Sequence, residues 1–374
     1  MTNSQGTRSA HPRICLVCTD DDSLIKKLTA QAARQGATLD VRESSNGLSE
    51  VVWQTLETLP TAPALTDSPQ PSAPGAAVIA MTTGFGPPDQ SGGHLPLLRL
   101  SDPGVDGSLA ELMPSTLATD ALPELFAASC AAMGYLPVVL TGAPKGFAPR
   151  TAHALMIEAM ALMGEGVKPE AIEAAAASAG FKEPPLLMLD RMGLGVLDEL
   201  LHASGHDHGH HHGHDHDHGH DHSHGHSHHH HHHDHAHDQA ADVMPESAIY
   251  VLEKMAHGFD RMGATSGYGF YEHEEDGSVE LWDGLDVFTR GAKAVPQADI
   301  ADRLLFSVAI EVQRCIQEGL LASSDADKAS VAAGVFPANH GGVSAWRENL
   351  GKAAFSARAG ELSDRYGKRF EVQA

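Results

Sequence analysis

An internal repeat in the second half of the chain constrains the architecture more than any other feature of the sequence. The segment RTAHALMIEAMALMGEGV begins at Arg150, and RLLFSVAIEVQRCIQEGL begins at Arg303. Both segments carry a helical pattern of apolar residues. Four matching positions stand 153 residues apart, namely Arg150 and Arg303, Glu158 and Glu311, Glu165 and Glu318, and Gly166 and Gly319. The repeat predicts two related helical units, each of which buries one face against the other.

The sequence before residue 145 has a different pattern, with short apolar runs that favour strands. A strand at 14–18, a helix at 23–34 and a strand at 37–42 form the β-α-β opening of a nucleotide-binding α/β fold. Further predicted elements are a helix at 47–58, strands at 76–82, 95–100 and 136–141, and a helix at 115–133. Only about five strands fit in this region, so we expect a small domain.

These patterns together predict an α/β domain followed by all-α domains. Residues 1–145 form a reduced Rossmann-like domain, in which the stretch 59–75, rich in Pro, Ala, Ser and Thr, is a linker or mobile loop. Residues 146–290 form a first helical domain, with predicted helices at about 150–164, 169–179 and 186–202, and residues 291–374 form a second one, whose helices begin at 297. Asp276-Gly277 is the predicted turn of a hairpin within 267–285.

Composition and charge exclude several classes of protein. The formal net charge of −24 repels phosphates, which argues against a broad interaction with nucleic acid or an anionic membrane. The four cysteines are too scattered for a disulfide scaffold, which indicates a reducing compartment. The first 13 residues contain no apolar secretory segment, and no run of 18 apolar residues predicts a membrane span. We therefore expect a cytoplasmic protein.

A histidine-rich insert at 202–238 interrupts the first helical domain and holds 21 of the 27 histidines. Imidazole is a common ligand of Zn, Ni, Co and Cu, and dense His-x-His spacing permits many ligand sets. Interleaved Gly and Asp residues predict a flexible, solvated segment that binds metal without a fixed catalytic cage. The candidate ligands are His206, His208, His210, His211, His212, His214, His216, His218, His220, His222, His224, His226, His228, His229, His230, His231, His232, His233, His235 and His237.

Several motifs resemble the 3-hydroxyacyl-CoA dehydrogenase family. Gly146-Phe147, the helix ending at Glu165-Gly166 and the stretch PPLLMLDRMGLG at 184–195 are similar to the start of the family's C-terminal helical domain. GATSGYGFYEHEEDGS at 263–278 resembles the stretch that closes that domain. FPANHGGVSAW and SDRYGKRFEV resemble the second helical domain of the multifunctional fatty-acid oxidation enzymes. The resemblance implies NAD as cofactor, an acyl-CoA substrate in fatty-acid β-oxidation, and a homodimer as a possible assembly.

The resemblance also implies a catalytic set, which this sequence retains only in part. The family has a histidine as general base, a glutamate twelve residues later that orients it, and an asparagine that positions the substrate carbonyl. The matching positions here are Arg99, Glu111 and Arg150. An arginine stays protonated and cannot accept a proton, so only the role of Glu111 is kept. His94 is the alternative histidine nearby, but it lacks the flanking pattern.

The cofactor motif of the family is also altered. Where the family carries Gly-x-Gly-x-x-Gly after the first strand, this chain carries Thr19-Asp20-Asp21-Asp22-Ser23, whose carboxylates repel a diphosphate. Asp40 is either a ribose-binding carboxylate or a surface residue. Three hypotheses remain open: a dehydrogenase with residual or altered activity, a catalytically silent protein that binds acyl-CoA or a partner, and a Zn or Ni buffer acting through the histidine-rich insert.

Overall fold

The computed structural model describes residues 146–203, 244–274, 276–289 and 295–372, and before residue 142 it describes seven strands with short stretches and single residues between them. The linker at 59–75, most of the predicted helix at 115–133 and almost all of the histidine-rich insert lie outside the described residues.

One seven-stranded sheet contains all the described strands of the first 145 residues. Its strands are β1 Ile14–Thr19, β2 Ala37–Glu43, β3 Leu48–Thr55, β4 Ala77–Thr83, β5 Leu97–Leu100, β6 Leu109–Met113 and β7 Leu136–Val139. Their order across the sheet is β2-β3-β1-β4-β5-β6-β7. The sheet is mixed, because β1-β4, β4-β5 and β6-β7 are parallel pairs whereas β2-β3, β1-β3 and β5-β6 are antiparallel.

Two parts of this sheet differ from the sequence-based prediction. The predicted helix at 47–58 is wrong, because β3 occupies Leu48–Thr55 and lies antiparallel between β1 and β2. Its consecutive residues Val51, Val52 and Trp53 are β-branched or aromatic, and such residues favour a pleated strand over a helix. The sequence-based prediction also missed β6, a five-residue strand with a glutamate at its centre.

Helices dominate the chain from residue 146 onwards. The described α-helices are α1 Phe147–Gly164, α2 Pro169–Ala179, α3 Pro185–Met192, α4 Gly195–Ala203, α5 Glu246–Glu253, α6 Gln297–Gln317, α7 Ser323–Ala332, α8 Val343–Leu350 and α9 Lys352–Tyr366. The single helix predicted at 186–202 is two helices, because Gly193 adopts a φ of 84° and ends α3. Strands β8 Tyr271–His273 and β9 Val279–Leu281 form the predicted hairpin, with Gly277 at a φ of 85° in its turn.

The helices share one apolar core, in which α1 and α6 are the central elements. Both helices bury most of their apolar residues, and α1 contacts α6 directly. The sheet joins this core through buried residues of β6 and β7, such as Leu109 and Val138. The N-terminus of α1 therefore lies at the junction between the sheet and the helices. None of the described helices is long and apolar enough to cross a membrane.

Candidate functional site

Arg99 and Glu111 form a buried pair on neighbouring strands. They stand directly opposite each other in the antiparallel register of β5 and β6. Both side chains have an exposed fraction of 0%, and Arg99 Nε lies 3.8 Å from Glu111 Oε2. The structure thus brings together the two residues that the sequence placed at the positions of the general base and its orienting carboxylate. In this chain the two residues form an ion pair that solvent does not reach.

Glu111 also binds the first turn of α1. Its Oε1 accepts hydrogen bonds from the backbone N–H of Phe147 at 3.1 Å and of Ala148 at 2.7 Å. A carboxylate at this position satisfies N–H groups that have no partner within the helix, and it interacts favourably with the helix dipole. Gly146 adopts a φ of 75°, and a Cβ there would lie 3.1 Å from Glu111 Oε2. The Gly146-Phe147 motif therefore brings the helix onto this carboxylate.

Burial governs the protonation of the pair. Burial raises the pKa of Glu111 to about 7, although the charge of Arg99 and the two backbone N–H groups act in the opposite direction. Burial also lowers the pKa of Arg99, against the effect of Glu111. An arginine nevertheless stays protonated in proteins, so Arg99 remains a cation and cannot act as a base. The pair can hold the helix in place, but Arg99 cannot remove a proton from a substrate hydroxyl.

Arg150, which the family resemblance aligns with the carbonyl-binding asparagine, is bound to α6 and to the residue that follows it. Its Nε donates a hydrogen bond to Glu311 Oε1 at 2.7 Å, and its terminal nitrogens bind both carboxylate oxygens of Glu318. Burial alone would lower the pKa of Arg150, but the hydrogen bonds to Glu318 and the charge of Glu311 raise it. Glu111 therefore caps the first turn of α1. Arg150, in the same turn, links α1 to α6 through its ion pair with Glu311.

The sheet order does not provide the usual dinucleotide site. In a Rossmann fold, the strand with the ribose-binding carboxylate lies parallel to the first strand and directly beside it. Here β3 separates β2 from β1, and Asp40 of β2 pairs with Val52 of β3. With strands about 4.8 Å apart, Asp40 lies about 10 Å from β1 in the sheet. The strand arrangement therefore does not fit NAD in the family's manner. Residues 20–23, which replace the glycine loop, lie outside the described residues.

Asp190 organises a second buried polar cluster, which the sequence-based analysis did not predict. Its carboxylate accepts hydrogen bonds from the backbone N–H of Phe270 at 2.7 Å and of Tyr271 at 2.8 Å, and it binds His273 Nε2 at 2.9 Å. Nearby, the hydroxyl of Tyr271 donates a hydrogen bond to Glu173 Oε1 at 3.1 Å. The bonds of Asp190 hold Phe270 and strand β8 against α3, and the bond between Tyr271 and Glu173 holds β8 against α2.

A sequence signal for this cluster existed. Asp190 lies in the LDRMGLG stretch, and Gly263 and Gly269 lie in the GATSGYGF stretch, both of which carried the family resemblance. A Cβ on Gly269 would overlap the Asp190 carboxylate, and one on Gly263 would lie 2.5 Å from the Asp190 carbonyl oxygen. The glycines of one motif are therefore required by the aspartate of the other.

The candidate metal ligands His206 to His237 all lie outside the described residues. Within the described part of the chain, no group of three or more His, Cys, Asp or Glu side chains could hold a metal ion. The metal prediction thus depends on the sequence of the insert alone.

A sequence comparison identifies the class of one segment of the chain, which begins just before α1 and includes Asp190. Residues 146–221 match the family model of the 3-hydroxyacyl-CoA dehydrogenase C-terminal domain. The family resemblance inferred from Gly146-Phe147 and the PPLLMLDRMGLG stretch is thereby confirmed over this segment.

Solved structures similar to the chain include dehydrogenases. The dehydrogenase part of multifunctional enzyme 1 from C. elegans is 16% identical, with a TM-score of 0.46, and the match covers 71% of this chain and 55% of that one. The 3-hydroxybutyryl-CoA dehydrogenase from Escherichia coli K12 is also 16% identical, with a TM-score of 0.49, and the match covers 80% of this chain and 74% of that one. The chain thus spans little more than half of the C. elegans protein.

Proposed function

We propose that the chain is an acyl-CoA-binding member of the 3-hydroxyacyl-CoA dehydrogenase family that lacks NAD-dependent hydride transfer. The observation that carries the loss of hydride transfer is the buried pair of Arg99 and Glu111, in which Glu111 caps α1, whereas acyl-CoA binding is supported by the match of residues 146–221 to the family model. Oxidation of a 3-hydroxyacyl group requires a base that accepts the hydroxyl proton as the hydride leaves. A guanidinium cannot accept this proton, and a completely buried pair has no access to a substrate.

In this proposal the chain belongs to fatty-acid β-oxidation or a related acyl-CoA pathway. Besides the replacement of the base by Arg99, two features support the loss of dehydrogenase activity. Arg150 is bound to Glu311 and Glu318, so its donors are not available to a thioester carbonyl. Strand β3 separates β1 from Asp40, which removes the usual geometry for the adenosine ribose. In this proposal the sheet derives from a Rossmann-like domain, and the two helical units derive from one ancestral unit.

The test is a pair of separate titrations with NADH and with acetoacetyl-CoA, together with an assay of 3-hydroxyacyl-CoA oxidation. We expect no NADH binding tighter than about millimolar, which corresponds to roughly −4 kcal/mol, no detectable turnover, and measurable binding of acetoacetyl-CoA. Arg99→His combined with Arg150→Asn should not restore turnover, because the cofactor site is also altered. Turnover by the wild type that disappears in Glu111→Gln would overturn the proposal.

A second candidate function is metal buffering through the histidine-rich insert. The observation that favours it is the density of imidazole, with 20 histidines between His206 and His237. Neutral imidazoles at alternate positions of a flexible chain can bind several Zn or Ni ions without a preformed site. This function is compatible with acyl-CoA binding by the helical domains, because the insert and the helices are separate segments.

A further inference from the structure

A cleft lies beside the hairpin of β8 and β9. Its volume is ≈ 730 Å³, which is within the range of ligand-binding clefts. One wall is the stretch 266–268, and the other is the end of β8 with the turn that follows it. The backbone N–H of His273 donates a hydrogen bond to the Gly267 carbonyl at 3.2 Å and joins the two walls at their base. The buried pair of Arg99 and Glu111 does not line this cleft.

His273 brings a hydrogen-bond acceptor to the cleft. Its Nε2 lies 2.9 Å from Oδ2 of Asp190, whose side chain is 0% exposed. The Asp190 carboxylate also accepts hydrogen bonds from the backbone N–H of Phe270 and Tyr271. The hydrogen of the neutral imidazole therefore stands on Nε2, and Nδ1 carries the lone pair. Among the residues that the structure describes, Nδ1 has no hydrogen-bond partner, and His273 lines the cleft.

The charges of the cleft do not balance. Three carboxylates line it, those of Glu272, Glu274 and Asp276, and the described residues of its wall include no Lys or Arg. Glu272 is compensated, because the buried Arg261 binds it at 3.0 Å. Asp276 accepts hydrogen bonds from the hydroxyl and the backbone N–H of Ser278, which lower its pKa and keep it ionised. Neither Asp276 nor Glu274 has a cationic partner in the described part of the chain.

Tyr268 adds an aromatic surface to these acceptors. Its exposed fraction of 56% is the largest among the exposed apolar side chains of the described residues. The guanidinium of Arg261 lies 5.5 Å from the centroid of this ring and 4.2 Å from that of Trp282, so the fold already places a cation against the ring. The face of an aromatic ring attracts cations. Tyr268 and the two uncompensated carboxylates thus favour a ligand of the same sign.

The spacing of the acceptors distinguishes between kinds of cation. Within the described ranges, no three His, Cys, Asp or Glu side chains are placed to hold a single metal ion. A guanidinium or alkylammonium group is larger and carries several N–H donors, so it can bind acceptors that are spread over a cleft wall. Its charge can also lie against an aromatic ring. The arrangement therefore fits an organic cation and not a metal ion.

We propose that this cleft binds the guanidinium or ammonium group of an organic cation, with N–H groups donated to His273 Nδ1 and to the carboxylates of Glu274 and Asp276 and with the charge against Tyr268. The group belongs either to a free small amine or to a basic side chain of a partner protein. The proposal does not depend on acyl-CoA binding or on the histidine-rich insert, because its residues have no part in either.

Calorimetric titration of the full chain at low ionic strength tests this inference with four butyl probes. Butylguanidinium and butylammonium should bind. Butyltrimethylammonium, a cation without N–H donors, should bind at least threefold more weakly, and butanol at least tenfold more weakly. A blocked Gly-Arg-Gly peptide that binds more tightly than butylguanidinium supports a basic side chain as the source, and weaker binding supports a free amine. Equal binding of butanol, or no binding of either N–H cation, rules the inference out.

Matched variants locate the binding site. Glu274→Gln and Tyr268→Leu should each weaken butylguanidinium binding at least threefold. The controls are Glu348→Gln and Tyr250→Leu, which change an exposed glutamate and an exposed tyrosine outside the cleft and should alter binding less than twofold. All four side chains are exposed, so the variants should keep the wild-type circular dichroism spectrum and melting temperature. Undiminished binding to both cleft variants contradicts the site, while the acetoacetyl-CoA titration reports on the family function independently.

Discussion

Arg150 and Arg303 occupy equivalent positions of the internal repeat, and each binds the two glutamates of the other copy. Arg150 of α1 binds Glu311 of α6 and Glu318, the residue that follows α6. Arg303 of α6 binds Glu158 of α1 at 2.5 Å and Glu165, the residue that follows α1, at 2.6 Å. The two sets of ion pairs differ in burial, because the side chain of Arg303 is 0% exposed and that of Arg150 is 17% exposed. This difference makes the two arginines unequal in their effect on stability.

Replacing Arg303 should destabilise the protein more than replacing Arg150. Removal of one partner from a buried ion pair typically costs about 3–5 kcal/mol, and because Arg369 still binds Glu158 at 2.6 Å, Arg303→Leu falls at the lower end of this range. We therefore expect Arg303→Leu to lower the free energy of unfolding by about 3 kcal/mol or more. Arg150→Leu should cost about 1–2 kcal/mol less than this, because solvent screens its more exposed partner Glu318. Urea unfolding of both variants measures the difference.

A double variant provides the control for this prediction. Arg303→Leu combined with Glu158→Leu removes both charges of the most buried contact and should recover part of the lost stability. Arg369, which also binds Glu158 at 2.6 Å, would then lose a partner, so the recovery should be incomplete. Equal destabilisation by Arg150→Leu and Arg303→Leu would contradict the role assigned to burial.

Gly269 should not tolerate even a methyl group. A Cβ at this position overlaps the carboxylate of Asp190, which is buried and holds the backbone of Phe270 and Tyr271. Gly269→Ala must displace that carboxylate or the strand, and overpacking of this kind costs about 1–3 kcal/mol. Thermal unfolding should show a lower melting temperature, and hydrogen exchange should show faster exchange at Phe270 and Tyr271.

The matched control is Gly360→Ala in the interior of α9. A Cβ there meets no atom within 4 Å, so the substitution changes only helix propensity. Alanine is favoured over glycine in a helix by about 1 kcal/mol, so this variant should be more stable than the wild type. A Gly269→Ala variant as stable as the wild type would mean that Asp190 does not pack against Gly269 in solution.

The repeat shows how much of the helical structure could be predicted from the sequence. Positions such as Arg150 and Glu311 are part of amphipathic helices, whose period of 3.6 residues is a local property of the chain. The prediction therefore found α1, α2 and α6, and its four paired positions contain the arginines and glutamates that meet between α1 and α6. The sequence also assigned Arg99 and Glu111 to two positions of one catalytic set, and the two residues are direct neighbours in the sheet.

The sheet order could not be predicted in the same way. Whether β2 or β3 lies next to β1 depends on pairing between distant segments, which no local pattern specifies. Leu48–Thr55 contains β-branched and aromatic residues that favour a strand, but its position between β1 and β2 is set by antiparallel pairing with both neighbours. Asp190 was missed for a related reason. Its partners Phe270, Tyr271 and His273 are about 80 residues away in the sequence.

Glu173 should make stability depend on pH in the neutral range. Burial raises its pKa to about 8 from an ordinary value of 4.5, against the hydrogen bonds from Tyr271 and Leu186. Because the folded state binds this proton more tightly, its contribution to stability is complete below about pH 4.5 and is lost as the pH rises through about 8. One such proton changes the free energy of unfolding by up to about 1.4 kcal/mol per pH unit.

Glu173→Gln should therefore remove part of the decrease in stability between pH 5 and pH 8. Glutamine can still accept the hydrogen bond from the Leu186 backbone N–H, and it does not titrate. The control is Glu170→Gln, an exposed position in the first turn of the same helix, which should leave the slope unchanged. Melting temperatures across this pH range provide the measurement. An unchanged slope in Glu173→Gln would show that Glu173 does not exchange a proton on unfolding.

Deletion of the histidine-rich insert should separate metal binding from folding. The helices on either side, α4 and α5, end at Ala203 and begin at Glu246. The entropy cost of closing a loop grows only with the logarithm of its length, so a long insert is tolerated inside a domain. Deletion of 205–237, with a short Gly/Ser linker in its place, should leave the melting temperature nearly unchanged and remove most Zn and Ni binding at pH 7.5.

The pH dependence of metal binding tests the same assignment in the intact chain. An imidazole must be neutral to bind a metal ion, and its ordinary pKa is about 6.5. Zn affinity should therefore collapse between about pH 7 and pH 5, as measured by competition with a chromophoric chelator. If the deletion unfolds the protein, the insert has a structural role. If several ions stay tightly bound after the deletion, the ligands lie elsewhere in the chain and the assignment of His206 to His237 is wrong.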